Sequence, residues 1–190
     1  MPYVPERHHC RSIRLRGYDY TRDGAYFVTL CVRDRVCRFG EVVNGAVRLS
    51  AAGRIVAEAW TWLAMQYPYV ALGAWVVMPD HVHGIIVMGD GGGSRTARTG
   101  DVAGRPGDAA GRRGPVKRKP LGRLIGAFKT VSTKRINEIR GTPGAVLWQR
   151  NYYEHVIRDA ADLRRIRAYI AANPARWGRD RNNPLTELQT

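Results

Sequence analysis

Two histidines, His81 and His83, stand two positions apart at the start of an apolar segment that ends at Met88. Because side chains alternate between the two faces of a β-strand, this spacing places both imidazoles on one face of a strand. Imidazole is a common metal ligand, and two imidazoles on one face can coordinate the same cation. The same pattern also describes two histidines that bind nothing, so the spacing alone leaves both interpretations open.

A second group of polar side chains, Tyr169 and Asn173, lies in an amphipathic segment whose apolar positions are Leu163, Ile166 and Ile170. A spacing of four residues places the phenol and the amide one above the other on a helix, along one edge of the apolar stripe. A tyrosine at this edge can reach the sheet while its hydroxyl group stays hydrated. Ordinary packing of a tyrosine, and an ordinary helix end before a proline, explain the same two residues equally well.

Three segments resemble, in the same order along the chain, the motifs of the REP-associated tyrosine transposases. These proteins are relatives of the insertion-sequence single-tyrosine transposases within the HUH endonucleases, which are named for a histidine, a hydrophobic residue and a histidine. The resemblance extends from about Tyr18 to Trp177, apart from a stretch rich in glycine and arginine. The three segments are WVVMPDHVHG (75–84), WQRNYYEHVIR (148–158) and YIAANP (169–174).

The resemblance implies a ferredoxin-like core that carries the histidine pair on a central strand. It also implies that His81 and His83 bind a divalent ion, Mg²⁺ or Mn²⁺, that Asn173 is the third ligand, and that Tyr169 is the nucleophile. The expected activity is a metal-dependent single-strand DNA endonuclease and strand transferase with a covalent phosphotyrosine intermediate. Its expected substrate is hairpin-forming repeat DNA, as in DNA transposition and recombination.

The charge of the chain is consistent with a polyanionic partner. The formal net charge is +15 and the sequence pI is about 10.6. Such a field attracts nucleic acid at long range, and released counterions then supply affinity. No apolar run approaches the roughly 20 residues of a spanning helix, and the N-terminus has no apolar signal core, so we expect a protein that does not bind membranes. We expect it to be cytoplasmic and nucleoid-associated. We expect a monomer or a homodimer.

Several residues near the second motif are candidates for DNA contact. Tyr152 and Tyr153 can stack on unpaired bases or belong to the core. Glu154 and His155 can act in acid–base chemistry, although a structural role with phosphate contact is the favoured interpretation. The cations expected to contact the DNA strand are Lys129, Arg150 and Arg158.

The elements that must position these residues follow from hydrophobic periodicity and turn signals. They alternate in the order β, hairpin, α, β, β, α, β, α, which predicts an α+β fold, a ferredoxin-like antiparallel sheet with helices packed on one face. The predicted strands are 25–32, a hairpin within 36–49 that turns at Asn44-Gly45, 69–78, 82–88 and a strand within 146–155; the predicted helices are 50–66, 121–140 and 159–173.

We expect a single catalytic domain over 1–190, with a core at about 18–177 and a tail at 178–190. Residues 89–119 are rich in glycine and arginine, which predicts a disordered basic loop with nonspecific affinity for phosphate. Two other functions remain open at this stage. One is a noncatalytic nucleic-acid binder similar to an RNA-recognition module; the other is a phosphoesterase in which a histidine itself attacks or protonates.

Overall fold

The order of strands and helices follows the sequence pattern closely. The computed structural model describes residues 17–89 and 118–179. Short 3-10 turns lie at Arg33–Arg35 and Trp177–Arg179. The elements are β1 (Gly24–Cys31), β2 (Gly40–Val43), β3 (Ala46–Leu49), α1 (Ala51–Gln66), β4 (Val70–Val77), β5 (His81–Met88), α2 (Leu121–Arg140), β6 (Tyr153–Ile157) and α3 (Ala160–Arg176).

Four strands form an antiparallel sheet in the order β4-β5-β1-β6, and β2 pairs with β3 in a separate hairpin. The connections β1-α1-β4 and β5-α2-β6 interlock, so the two strands that begin these units, β1 and β5, lie at the centre. This is the ferredoxin-like arrangement. The predicted α+β class and antiparallel sheet are therefore confirmed.

The helices occupy both faces of the sheet. Helices α1 and α2 cover the face that contains Tyr26 and Val28. Helix α3 lies on the opposite face, where Ile166 and Ile170 pack against Phe27 and other apolar residues. The expectation that all helices pack on one face is therefore corrected for α3. The cause is visible in β1, whose nearly continuous apolar sequence is that of a strand covered on both sides.

Local signals set most element boundaries. The side chain of Ser50 accepts a hydrogen bond from the backbone of Gly53 and caps α1, as expected of a serine before a helix. Asn44 (φ 51°) and Gly45 (φ 74°) both have positive φ, which is the conformation predicted for the hairpin turn. Helix α2 has the predicted bounds.

Two predicted boundaries are wrong. The last strand, Tyr153–Ile157, extends two residues past the 146–155 region that was predicted to contain it, and Trp148 in that region makes only an isolated bridge to Val32. Helix α3 continues past Pro174 to Arg176. A proline inside a helix removes one backbone hydrogen bond, so a tertiary contact must hold the last turn. Trp177, which is 6% exposed and packs beside the ring of His81, provides it.

Parts of the predicted domain organisation lie outside the described residues. Positions 90–117, and with them nearly all of the loop predicted at 89–119, belong to this group, as do residues 1–16 and 180–190. The boundaries of a single domain with a core at 18–177 stay predictions. Across the two described ranges, no helix combines the length and apolar character needed to cross a membrane.

Candidate active site

His81 and His83 lie side by side at the beginning of β5, on the face that α3 covers. They are 1% and 4% exposed. Their register partners on β1 are Cys31 and Thr29. The two Nε2 atoms are 2.9 Å apart, so the spacing of two residues does place both imidazoles at one point, as the sequence pattern requires.

Asp80 fixes the orientation of His81. Its Oδ1 atom lies 2.6 Å from Nδ1 of His81. A carboxylate only accepts hydrogen bonds, so Nδ1 carries the proton and Nε2 keeps its lone pair when the ring is neutral. The carboxylate is fully buried, and its other oxygen lies 3.0 Å from Nε of Arg35. A buried carboxylate requires such a partner, because an isolated buried charge is costly.

The backbone that carries Arg35 is unusual. Asp34 and Arg35 both have positive φ, at 60° and 56°. Such conformations cost free energy in residues other than glycine and persist where surrounding contacts impose them. The guanidinium of Arg35 donates to Sγ of Cys31 (2.7 Å) while it pairs with Asp80. The turn therefore places the guanidinium of Arg35 next to the buried carboxylate of Asp80.

His83 is held in a neutral state beside its neighbour. Its Nδ1 lies 2.8 Å from Oγ1 of Thr29, and the ring of Phe27 stacks on it at 5.6 Å. Burial, together with the nearby His81 and Arg35, lowers the pKa of His83 to about 2. The hydroxyl of Thr29 can donate or accept, so it is compatible with either tautomer. When it accepts from Nδ1, the lone pair of Nε2 faces His81.

Tyr169 reaches this pair from α3. Its hydroxyl oxygen lies 3.3 Å from Nε2 of His83. The ring packs against the rings of His83 and Phe27, with centroids 5.1 Å and 6.0 Å away. The side chain is nevertheless 41% exposed. The phenol therefore stands at the border between the imidazoles and solvent, where a substrate can reach it.

Asn173 belongs to the same helix face but is buried. It is 5% exposed, and its Oδ1 atom accepts no hydrogen bond from the residues that the structure describes. It lies four residues after Tyr169, which contacts His83, and four before Trp177, which contacts His81. Residues four apart are neighbours on a helix, so the amide lies between two side chains that both touch the histidine pair.

Gly84 allows the core to support the histidine strand from behind. A Cβ atom at this position would lie 2.3 Å from Cζ2 of Trp60 on α1. Trp60 is fully buried and meets Phe128 of α2 edge to face, with centroids 5.3 Å apart. The indole thus packs directly on the β5 backbone next to His83, which explains a glycine at that position.

The positions of the imidazole nitrogens are compatible with a shared divalent cation. The Nε2–Nε2 separation of 2.9 Å is close to the roughly 3.0 Å between two neighbouring octahedral ligands at ~2.1 Å, and it is also the length of a hydrogen bond between the two rings. Oδ1 of Asn173 is a buried acceptor without a hydrogen-bond partner among the described residues, so it is available to a ligand. Among the described residues, no three His, Cys, Asp or Glu side chains form a metal-binding group.

The three cations expected to contact DNA differ in their surroundings. Nζ of Lys129 donates to backbone carbonyls of Gln149 (2.7 Å) and Asn151 (3.2 Å), and burial lowers its pKa to about 8. Lys129 therefore braces the segment before β6. Arg150 and Arg158 are exposed at the two ends of that strand, where their guanidinium groups can meet a strand of nucleic acid.

The residues of the second motif divide between the two faces of β6. Glu154 is 5% exposed and lies opposite Val28, on the side of α1 and α2. His155 lies on the side of α3, and its Nε2 is 2.7 Å from Oδ2 of Asp162 in the first turn of that helix. These two side chains are on opposite faces, so they cannot act together on one substrate atom.

The sequence analysis missed Asp80, Arg35 and Thr29 as partners of the histidines. Asp80 directly precedes His81, and an acidic residue next to a histidine pair is a weak signal of an orienting carboxylate. Arg35 gave no signal, because its contact with Asp80 spans two distant turns.

The chain was also compared with known proteins and solved structures. No protein-family model matches the chain. An uncharacterized protein of Haemophilus influenzae is 34% identical over 181 residues, which are 91% of this chain and 92% of that protein. A REP-associated tyrosine transposase, solved bound to a REP hairpin, shares the fold: the TM-score is 0.56 at 21% identity, covering 87% of this chain and 74% of the other. A proposed transposase from Deinococcus radiodurans gives a TM-score of 0.44 at 17% identity, covering 83% and 94%.

Proposed function

We propose that this chain, which belongs to the same family as the uncharacterized Haemophilus influenzae protein, is a metal-dependent single-strand DNA endonuclease and strand transferase of the REP-associated tyrosine transposase type. The observation that carries the proposal is the contact of the Tyr169 hydroxyl with His83, whose ring lies against that of His81 in a buried pair. A fold shared with a tyrosine transposase supports it. The residues assigned to the site are those of the three sequence motifs that resemble that family.

In this proposal His81, His83 and Asn173 hold Mg²⁺ or Mn²⁺. The bound ion would polarise the scissile phosphate and neutralise the charge that develops on it. Asp80 keeps His81 in the tautomer whose Nε2 lone pair is free, and Arg35 lies beside the buried carboxylate of Asp80 as its ion-pair partner. The low pKa of His83 keeps that ring neutral at physiological pH. Both imidazoles are therefore ready to coordinate.

Tyr169 is the proposed nucleophile. A phenol with a pKa near 10 must be activated before it attacks, and a cation beside it favours the phenolate. A bond forms between the Tyr169 oxygen and phosphorus, and the bond from phosphorus to the 3′-oxygen of the preceding nucleotide breaks. The net proton transfer is from the phenol to that leaving oxygen. The resulting 5′-phosphotyrosine retains the energy of the broken linkage, so a second 3′-hydroxyl can reverse the step without ATP.

The proposed substrate is single-stranded DNA, presented by hairpin-forming repeats. The net charge of +15 favours a polyanion. Arg150 and Arg158 are the proposed phosphate contacts, because both are exposed on the rim of the same sheet. Lys129 has a different proposed part: through its carbonyl contacts it holds the segment that carries Arg150.

A noncatalytic RNA-recognition function is disfavoured by the position of α3. Modules of that type bind bases on the open face of a ferredoxin-like sheet. Here that face is covered, since Phe27 is 7% exposed, Ile85 is 0% exposed and both pack against α3. Among the described residues, the large apolar side chains that stay exposed on this face are Tyr169, Tyr153 and Val87.

The test is the formation of a covalent complex. The purified full chain is incubated with Mn²⁺ and a labelled single strand that contains an inverted repeat from the neighbourhood of its gene, and the products are separated on a denaturing gel. A labelled band at the mass of protein plus DNA is expected with Mn²⁺ and not with EDTA. Release of mononucleotides without such a band would instead indicate a histidine-dependent phosphoesterase.

A further inference from the structure

The adjacent tyrosines Tyr152 and Tyr153 have different environments, which the sequence pattern alone does not distinguish. Successive side chains of a strand point to opposite faces. Tyr152 is half-buried next to the core on the side of α2, and the ammonium of Lys129 lies 5.7 Å from its ring centroid. Tyr153 lies on the side of α3 and is 45% exposed. One of the two rings is therefore available to a ligand on the active-site face.

Tyr153 lies in the same row of the sheet as the candidate metal ligand His83. Thr29 of β1 is the register partner of both, with Tyr153 on one side and His83 on the other. Neighbouring strands are ~4.8 Å apart, so the two Cα positions are separated by roughly 10 Å.

The ring of Phe27 connects Tyr153 to the nucleophile. Its centroid lies 6.1 Å from that of Tyr153 and 6.0 Å from that of Tyr169, and it meets both rings edge to face. Phe27 itself is 7% exposed. The two exposed phenols therefore stand on either side of one buried ring, at the rim of the same face.

The rim at β6 is open and carries two exposed arginines. In the sheet formed by the described residues β6 is an edge strand, so no further strand covers the outer side of Tyr153. Exposed arginines stand before and after the strand, at Arg150 and Arg158. Proteins bind single strands with exposed rings on which bases stack and with cations along the same groove that meet the phosphates.

We propose that Tyr153 is a stacking platform for an unpaired base of the DNA strand, within a few nucleotides of the phosphate that Tyr169 attacks. The proposal rests on the proposed function, because it assigns the partner as single-stranded DNA. It explains why an aromatic ring is left exposed on this side of β6 while its neighbour in the sequence is packed inside.

The test separates base stacking from phosphate attraction. Binding of the full chain to fluorescein-labelled oligothymidylate is compared with binding to an abasic strand of the same length and charge. Tyr153→Ala is expected to weaken binding to oligothymidylate by roughly 5- to 150-fold, the effect of losing one base stack. Binding to the abasic strand should change little. Tyr153→Trp should restore binding, because the larger ring also stacks.

The matched control is Ile139→Ala, which removes an exposed apolar side chain (57% exposed) at the end of α2. It should bind both strands as the parent does. If Tyr153→Ala weakens binding to both strands equally, or does not weaken binding at all, the proposal of a stacking platform is wrong. The covalent-band assay on the parent is a separate readout: if the band forms while Tyr153→Ala binds normally, only the platform fails, and if no band forms, the proposed function fails.

Discussion

The hydroxyl oxygen of Tyr169 lies 3.3 Å from Nε2 of His83, although 86 positions separate the two residues in the chain. Two structural features produce this contact. The apolar stripe of α3 packs on the sheet face that carries the histidines, and Tyr169 follows the edge of that stripe. The meeting of phenol and imidazoles therefore depends on α3 covering the face opposite α1 and α2.

Substitution of Asn173 should have opposite effects on metal binding and on stability. In Asn173→Ala, Mn²⁺ binding measured by calorimetry should weaken, because a ligand is lost. The metal-free protein should be as stable as the parent or more so, since an unsatisfied buried acceptor costs about 1–3 kcal/mol. His83→Ala should abolish binding, and His155→Ala, on the same face but bonded to Asp162, should leave it intact. Unchanged Mn²⁺ affinity in Asn173→Ala would remove this residue from the site.

Neutralising Asp80 should reduce activity without a change of substrate. In Asp80→Asn the charge that orients His81 is lost, and loss of such an outer partner typically costs about 10–100-fold in metal affinity or activity. The initial rate of covalent-complex formation, measured against Mn²⁺ concentration, reports it. Asp34→Asn is the matched control, because its side chain is 76% exposed and asparagine tolerates the positive φ at that position. A wild-type rate in Asp80→Asn contradicts the orienting role.

Gly84→Ala should destabilise the fold. The added Cβ would lie 2.3 Å from the ring of Trp60, and overpacking of this kind typically costs about 1–3 kcal/mol. Urea unfolding measures the loss in the free energy of unfolding. Gly126→Ala on α2 is the control, since no atom lies within 4 Å of its added Cβ and alanine favours a helix interior. Equal stability of the two variants would show that Trp60 moves aside without cost.

Much of this architecture could be predicted from local sequence, and the exceptions have a common cause. The histidine spacing, the cap at Ser50 and the apolar stripe of α2 are each determined within one element. The pairing of Arg35 with Asp80 is not, because it depends on the packing of residues 32–39 onto the 79–80 turn, through bonds such as Val32 N to Asp80 O (2.8 Å). Likewise, α3 continues past Pro174 because Trp177 packs on His81, a contact that local propensity does not reveal.

The hydrogen bond between His155 of β6 and Asp162 of α3 should make the free energy of unfolding depend on pH. Hydrogen bonds from His155 and Arg165 lower the pKa of Asp162 from 3.8 to about 2. A carboxylate whose pKa is lowered by folding stabilises the fold above its unfolded pKa, and this contribution is lost as the pH falls from about 4 to 2. Asp162→Asn should therefore be less stable than the parent at pH 6, and the difference should shrink towards pH 2.

Urea unfolding at several pH values measures that difference. The control is Glu138→Gln, which removes the same charge from an exposed position near the end of α2. Its stability should follow that of the parent across the range. A constant difference between Asp162→Asn and the parent at every pH would contradict a role for ionised Asp162 in docking α3.

The most direct test of the central claim is to identify the residue that becomes linked to DNA. The covalent complex is formed with Mn²⁺, treated with nuclease and protease, and analysed by mass spectrometry, in parallel with the Tyr169→Phe variant. We predict a nucleotide attached to the peptide that contains Tyr169, and no adduct in the variant, which should still bind DNA. An adduct on another residue, or one that persists in Tyr169→Phe, would contradict the assignment of Tyr169 as the nucleophile.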